Sequence, residues 1–223
     1  MAGRHAGVLE DYGCVAHGFL ALVSATGDGR WLRHAGVLLD AALDRFPAGD
    51  GGFHDTAEDA ETLVARPRDP SDNASPSGQS ALVHALLGYA ALTGSGRHRE
   101  AAEGALRTVR ALAERVPRFA GWSLAAAEAA LAGPLEVAVV GRADDPLRDE
   151  LEAAARRAVS PGAVVVVGPP AAAAGEGAGG AAAVPLLEHR DLLDGHAAAY
   201  VCRGMVCDRP VGTVEELREL LGR

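Results

Sequence analysis

The spacing of apolar positions predicts helices over most of residues 1–133. Apolar side chains recur every three to four positions from Val8 to Ala25, and again over Gly29–Phe46, Ser77–Leu92 and Arg97–Arg115. A fifth helix is predicted from Arg118 to Leu131. Glycines and capping residues separate these segments, as expected where one helix ends and the next begins.

Part of this pattern repeats within the chain. The turn Thr26–Arg30 (TGDGR) returns 67 residues later as Thr93–Arg97 (TGSGR), and the apolar helical positions before it return as well. A repeated helix-turn-helix unit cannot bury its apolar stripe alone and stacks on its neighbours. We therefore expect two equivalent αα-hairpins that pack side by side.

The pattern changes at residue 134. Leu135–Val140 and Ala163–Val167 are continuous apolar runs typical of buried strands, and a helix is predicted between them from Pro146 to about Val159. This order predicts a β-α-β unit with parallel strands. The fold class is thus mainly α, with an αα-hairpin region over 1–133 and a small α/β segment over 134–223.

The end of the chain adds weaker elements to the α/β segment. Residues 169–183 read as a low-complexity linker, and two short strand-like pieces, Ala197–Arg203 and Met205–Val211, flank Gly204. Thr213 is predicted to cap a last helix, with Glu216 completing a capping box.

Composition and charge narrow the classes of function. The net charge is -9, and lysine is absent, so non-specific nucleic-acid binding is not expected. We expect no membrane association, because no apolar run of about 18 residues is present. The chain shows no signal-peptide pattern and is expected to be cytoplasmic. No cofactor is indicated, and the Ala/Gly excess without lysine is typical of a GC-rich bacterial genome.

The long polar segment Asp50–Ser80, between the two predicted hairpins, is the leading candidate for a ligand site. Connections longer than about 15 residues within a domain are usually functional or disordered. At its end a helix is predicted to begin, and a helix start can hold a carboxylate, phosphate or sugar hydroxyl. The alternative is that Ser77 only caps this helix and that Asp72 and Asn73 only form a turn. The predicted ligand-binding residues are Asp72, Asn73, Ser75, Ser77, Gly78, Gln79, Ser80, Tyr12, His54 and Arg66.

Carboxylates supply the candidates for acid/base chemistry. A β-hairpin of Gly52–Thr56 and Glu61–Pro67 would present an acidic turn between its strands. Glycoside chemistry needs two carboxylates on opposite sides of one bond, although a solvated acidic turn is the simpler interpretation. A helix face with Glu10, Cys14 and His17 could also line a pocket, or be only surface. The candidate catalytic residues are Asp55, Glu58, Asp59, Asp72 and Glu10.

The remaining chemistry concerns Cys202 and Cys207. Their spacing is not that of a C-x-x-C redox centre. Two cysteines are also too few for a four-ligand zinc site, and we predict no metal. Buried free thiols are the expected state. A tight turn at Arg203–Gly204 would instead bring the sulfurs together as a redox pair.

Five ordered motifs resemble one known family. They are LEDYG (9–13), GGFHDTAED (51–59), RPRDPSDNASPSGQS (66–80), PLEVAVVG (134–141) and AYVCRGMVCDRPV (199–211). Together they are similar to the C-terminal third of the thioredoxin domain-containing, spermatogenesis-associated protein family. The resemblance implies a helical toroid like that of six-hairpin glycosidases or N-acylglucosamine epimerases, here partial and without a thioredoxin-like domain.

Three functional hypotheses follow. The first is a truncated family member that binds a small carbohydrate-like ligand, with glycosidase- or epimerase-type acid/base chemistry if it is active. The second is a non-catalytic remnant or subunit that self-associates or needs a partner chain to complete the toroid. The third is a redox or metal role for Cys202 and Cys207.

Overall fold

The computed structural model describes residues 7–61, 63–158, 160–171 and 183–222. Its helical part contains α1 (Leu9–Thr26), α2 (Gly29–Arg45), α3 (Gly78–Thr93), α4 (Gly96–Arg115) and α5 (Gly121–Ala132). The α/β part contains β1 (Leu135–Val140), α6 (Pro146–Ala155), β2 (Val164–Gly168), β3 (Ala198–Arg203), β4 (Val206–Cys207) and α7 (Val214–Leu221). The predicted fold class, mainly α with a small α/β segment, is confirmed.

The two predicted hairpins share the same turn chemistry. Gly27 and Gly94 both take the left-handed conformation that closes a helix, with φ of 67° and 73°. Their N–H groups bond to the carbonyls of Val23 and Ala90, which are again 67 residues apart. The sequence repeat is therefore a structural repeat. In the packed hairpins, α3 lies against both α1 and α5.

The α/β part forms a mixed four-stranded sheet in the order β2-β1-β3-β4. Strands β1 and β2 are parallel, as predicted, whereas β3 pairs with the other edge of β1 in the antiparallel direction. One face of the sheet carries Val137, Val139 and Val201 and packs with α6 and α7. The opposite face carries Ala138, Val166 and Cys202 and joins the same core as the helical hairpins.

Direct contacts connect the two parts of the chain. The Ser24 hydroxyl donates to the Val165 carbonyl over 2.6 Å, and the Arg156 guanidinium donates to the Ser24 carbonyl over 2.6 Å. Helix α6 ends at Ala155, and Arg156 is its C-cap, so the helix is shorter than the prediction of an end near Val159. None of the helices in the described ranges combines the length and apolar character needed to cross a bilayer.

Other expectations need correction. The fifth helix begins at Gly121, after a separate 3₁₀ turn at Pro117–Phe119, because the backbone at Ala120 leaves the helical conformation. The second strand-like piece near Gly204 is shorter than predicted: only Val206–Cys207 is a strand, with one further bridge at Val211. Most of the predicted linker at 169–183 lies outside the described residues.

Candidate functional site

The Asp50–Ser80 segment is held in place by its own polar side chains. It contains no β-hairpin among its described residues, so that prediction was wrong, and Phe53 makes only an isolated bridge to Pro47. Arg66 replaces the expected strand pairing, because its guanidinium donates to the carbonyls of Thr56 and Arg45. Asp50 pairs with Arg68 over 2.6 Å. The described residues of this segment form a loop without strands.

Asp72 is the most connected residue of the segment. It is only 2% exposed. One carboxylate oxygen accepts bonds from the Ser77 N–H (3.0 Å) and the Ser80 hydroxyl (2.6 Å). The other accepts from the N–H groups of Trp122 (2.9 Å) and Ser123 (3.2 Å). Asp72 therefore caps the starts of α3 and α5 at once, which explains why α5 begins where it does.

Of the predicted ligand-binding residues around Asp72, some cap the helix or pack in the core and others are exposed. Ser77 caps α3, because its hydroxyl accepts from the Ser80 N–H over 3.1 Å. The Gln79 carbonyl oxygen accepts from the Phe53 N–H over 3.0 Å, and its amide donates to Ala105 and Thr108. Asn73 and Ser75 are exposed in the turn before the helix. Capping and core roles thus occupy Ser77, Gln79 and Ser80.

Gly78 fixes how closely α1 and α3 approach each other. A Cβ at Gly78 would lie 3.0 Å from the Glu10 backbone nitrogen and 3.1 Å from the Leu9 side chain. The starts of the two helices are therefore in contact, and Glu10 lies beside the start of α3 with an exposed side chain. The side chain of Tyr12 is not free for a ligand, because its hydroxyl accepts from Arg45 over 2.8 Å.

The acidic candidates do not form one pair around a shared space. Asp59 is paired with Arg45 over 2.7 Å, and the Glu58 backbone N–H donates to the Arg45 carbonyl. Asp55 accepts from the Asp69 N–H over 3.0 Å. Burial raises the pKa of Asp55, and the nearby Asp69 adds to the rise, whereas this hydrogen bond opposes it. His54 next to it has a buried Nδ1 without a hydrogen-bond partner.

A row of imidazole and indole rings crosses α1, α3 and α5; we call it the ring row. It consists of His17, His84 and Trp122. The His17 and His84 ring centres are 6.2 Å apart, and those of His84 and Trp122 are 5.6 Å apart in an edge-to-face arrangement. His84 Nε2 also lies 2.9 Å from the Trp122 carbonyl oxygen. The row is accessible: Trp122 is 47% exposed.

Burial and neighbouring groups shift the pKa values of His17 and Cys14 on α1. Desolvation lowers the pKa of His17, and the neighbouring His84 lowers it further, so His17 is neutral at pH 7. Cys14, one turn before, is a free thiol. Desolvation raises its pKa, as do the charges of Glu10 and Asp11, so it is a poor thiolate at neutral pH. Glu10, Cys14 and His17 share one face of α1, as predicted.

The prediction of free thiols at Cys202 and Cys207 was wrong. The two residues are paired across the β3–β4 hairpin and form a disulfide. The connecting turn, Gly204–Met205, has φ of 58° and 66°, and two consecutive residues of positive φ are what a type I′ two-residue hairpin turn requires. No cluster of three or more metal-ligating side chains occurs among the described residues.

Sequence reasoning missed Trp122, Glu136 and Arg190 as functional candidates. Trp122 was only an apolar position within the fifth helix, and no pattern distinguishes a half-exposed ring from a buried one. Glu136 carried a signal that was overlooked, because it is a single charge inside an otherwise apolar strand. It is 2% exposed, and a buried charge needs partners.

No family model matches the chain, but comparison with individual proteins finds similar chains. It is 28% identical to spermatogenesis-associated protein 20 of Homo sapiens and 29% identical to that of Rattus norvegicus, over 96% of this chain in each case. The Mus musculus protein is 35% identical over 50% of the chain. The chain spans about 27% of the length of the human and rat proteins. Similarity over nearly the whole chain supports the relationship to the spermatogenesis-associated protein family that the ordered motifs predict.

Proposed function

We propose that the chain binds a small carbohydrate-like ligand on the ring row, His17, His84 and Trp122. The observation that carries the proposal is the alignment of these three rings on the helices α1, α3 and α5, with Trp122 half exposed. The C–H faces of a sugar ring pack on aromatic faces, and its hydroxyls need nearby donors and acceptors. The neutral His17 imidazole and the Glu10 carboxylate on the same face of α1 supply these.

Asp72 contributes to this site indirectly, because it holds the start of the helix that carries Trp122. Asp72 fixes the start of α5 and thereby places Trp122, the first residue whose N–H it binds. His84 lies two turns after Ser77 on α3, and its bond to the Trp122 carbonyl locks the pair. The polar segment thus acts through the position of α5. The proposal is one of binding, because the predicted acid/base carboxylates of Asp55, Asp59 and Asp72 make internal contacts.

Fluorescence titration tests this proposal. Trp31→Phe leaves Trp122 as the single tryptophan of the chain, so a panel of neutral sugars, amino sugars and sugar phosphates can be screened by its emission. At least one class should bind saturably. Trp122→Ala should weaken that binding at least about tenfold in calorimetry, because an exposed aromatic platform contributes most of such a contact.

The matched control is Leu131→Ala, an apolar side chain on the same helix that is 89% exposed. It should leave the affinity unchanged. Absence of saturable binding across the panel would contradict the proposal, as would equal affinities for Trp122→Ala and Leu131→Ala.

A second function, that of a subunit completed by another αα-hairpin, is favoured by one further observation. The first hairpin carries a group of apolar and aromatic side chains at its surface, here called the hairpin flank: Val15, Phe19, Leu22, Trp31 and His34. Phe19 stacks on Trp31 with ring centres 5.7 Å apart, yet Val15 is 47% and Leu22 38% exposed. Contiguous apolar surface of this kind marks an interface.

The internal repeat supports a hairpin as the occupant of this flank. The positions 67 residues after Val15, Phe19 and Leu22 are Leu82, Leu86 and Tyr89. Leu82 and Leu86 are fully buried, in the core that α3 shares with α1. Residues at equivalent places in a repeat pack equivalently. This correspondence supports a hairpin that packs on the flank as α3 packs on α1.

A further inference from the structure

The disulfide between Cys202 and Cys207 is asymmetric in its exposure. Cys202 is 1% exposed, whereas Cys207 at the end of the two-residue strand β4 is only half-buried. An incoming thiolate attacks along the S–S axis and must reach one sulfur first. In this hairpin only the Cys207 sulfur offers that approach, so Cys202 is the leaving group.

A cation lies beside the leaving sulfur. Arg190 Nη2 is 3.5 Å from the Cys202 sulfur. The guanidinium is held there by a hydrogen bond to the Leu186 carbonyl (2.6 Å) and by the Tyr200 ring, 5.1 Å below it. A fixed cation lowers the pKa of a thiol and so makes its thiolate a better leaving group. The Arg190 guanidinium therefore favours formation of a thiolate at Cys202 when the S–S bond breaks.

A buried carboxylate holds the turn between the two cysteines. Glu136 lies opposite Cys202 in the β1–β3 register, and its Oε2 accepts from the Met205 N–H over 2.7 Å. A methionine with φ of 66° is unfavourable, and this bond offsets the cost. Burial raises the pKa of Glu136, although its backbone hydrogen bonds oppose the rise. The turn is therefore tied to β1 by a contact separate from the S–S bond.

A cleft of about 190 Å³ opens next to the same turn. Its walls include Gly204, Met205 and Glu136 together with Arg99 and Glu103 of α4. Arg99 is exposed and Glu103 is half-buried, so the cleft presents both signs of charge. Such a site suits a small thiol that carries carboxylate and ammonium groups, as glutathione does.

From these features we propose that Cys202–Cys207 is a thiol–disulfide exchange site for small charged thiols of the glutathione type. One thiolate attacks the Cys207 sulfur, the S–S bond breaks, and its electron pair leaves on Cys202 beside Arg190. A second thiolate then attacks the bound thiol's sulfur, which forms the small-molecule disulfide and releases Cys207 as a thiolate. Both cysteines take protons from water. Two small thiols are oxidised, and the protein disulfide is reduced.

The chemistry is independent of the ring row, which lies on the helical part of the chain. It also gives the disulfide a use if the chain resides in a reducing compartment, where disulfides are usually transient or redox-sensing. The free thiol of Cys14 would complicate any measurement, so each variant is made in a Cys14→Ser background.

The first experiment maps the attacked sulfur. The oxidised protein is equilibrated in glutathione buffers, quenched with acid, alkylated and analysed by mass spectrometry. The thiol and disulfide forms should interconvert. Cys202→Ser should carry glutathione on Cys207, whereas Cys207→Ser should leave Cys202 unmodified. A disulfide that resists excess glutathione in the native protein, or a mixed disulfide on Cys202, would overturn the proposal.

The second experiment tests Arg190 as a positioning residue for the leaving thiolate. Arg190→Gln should slow exchange about tenfold at neutral pH, because the leaving-group thiol becomes less acidic. Arg190→Lys should recover most of the rate. Arg110→Gln, an exposed arginine on α4 paired with Glu114, is the matched control and should exchange like the parent. Equal rates for Arg190→Gln and Arg110→Gln would exclude this role, with near-UV circular dichroism verifying that each variant is folded.

Discussion

A single carboxylate, that of Asp72, sets the relative position of two helices, α3 and α5, whose starts at Gly78 and Gly121 are far apart in sequence. It accepts four hydrogen bonds, two from the start of α3 and two from the start of α5. A helix start leaves N–H groups unpaired, and an aspartate cap satisfies them at little cost. Asp72 does this for two helices with one buried side chain.

Removing this carboxylate should therefore destabilise the folded protein strongly. Asp72→Ala is expected to lower the free energy of unfolding by about 3 kcal/mol or more, because it leaves several buried donors without an acceptor. Asn73→Ala, at an exposed neighbour, should change it by less than about 0.5 kcal/mol. Urea unfolding followed by circular dichroism measures both. Equal midpoints for the two variants would contradict the capping role.

For single residues, the sequence predicts contacts between neighbours along the chain better than contacts between residues far apart in sequence. The cap at Ser77 could be predicted, because it depends on residues three positions apart. The bonds from Trp122 and Ser123 to Asp72 could not be predicted, since they depend on how α5 packs. The same holds for Arg190, which lies beside the Cys202 sulfur only because of how the segment before β3 packs on the sheet. Ser77, Gln79 and Ser80, which were predicted to bind a ligand, make capping and core contacts that depend partly on the same packing.

Among the elements, α1 and α3 pack unusually closely, and glycine permits it. A Cβ at Gly13 would lie 2.6 Å from the Leu82 backbone nitrogen and 2.8 Å from the Ala81 carbonyl carbon. Both obstacles are backbone atoms and cannot rotate away. Gly18, five residues on in the same helix, has nothing within 4 Å of such a Cβ.

These two glycines make a matched pair of variants. Gly13→Ala should destabilise the protein by about 1 to 3 kcal/mol, because the helices must separate. Gly18→Ala should stabilise it by up to about 1 kcal/mol, because alanine is the better helix former and meets no obstacle. Thermal unfolding separates the two cases. A stabilising Gly13→Ala would show that the close approach of α1 and α3 does not constrain the fold.

Helix and strand positions were largely predictable, and the failures have a common cause. The bounds of α1 to α4 lie within one residue of prediction, because capping glycines and capping side chains are local signals. The acidic β-hairpin was wrong because Arg66 binds the Thr56 and Arg45 carbonyls directly. The strand preference of a short segment is weak beside such tertiary contacts.

For the whole molecule, one core joins the helical hairpins to a face of the sheet. Leu86 of α3, Ala138 of β1 and Cys202 of β3 belong to the same buried cluster. The domain division at residue 134 therefore separates two kinds of secondary structure that share packing. The hairpin flank, by contrast, leaves Val15 and Leu22 exposed in the part of the chain that the structure describes.

The exposure of the hairpin flank leads to a prediction about assembly. The chain is expected to self-associate through Val15, Phe19 and Leu22, because Leu82 and Leu86, the equivalents of Val15 and Phe19 in the second repeat, are buried against another hairpin. Sedimentation velocity over a range of concentrations should show a mass above that of one chain. The double variant Val15→Asp and Leu22→Asp should shift it to the monomer, since burying two charges in an interface is costly. Val64→Asp, at a fully exposed position of the long segment, should associate like the parent. A monomer at all concentrations would contradict self-association.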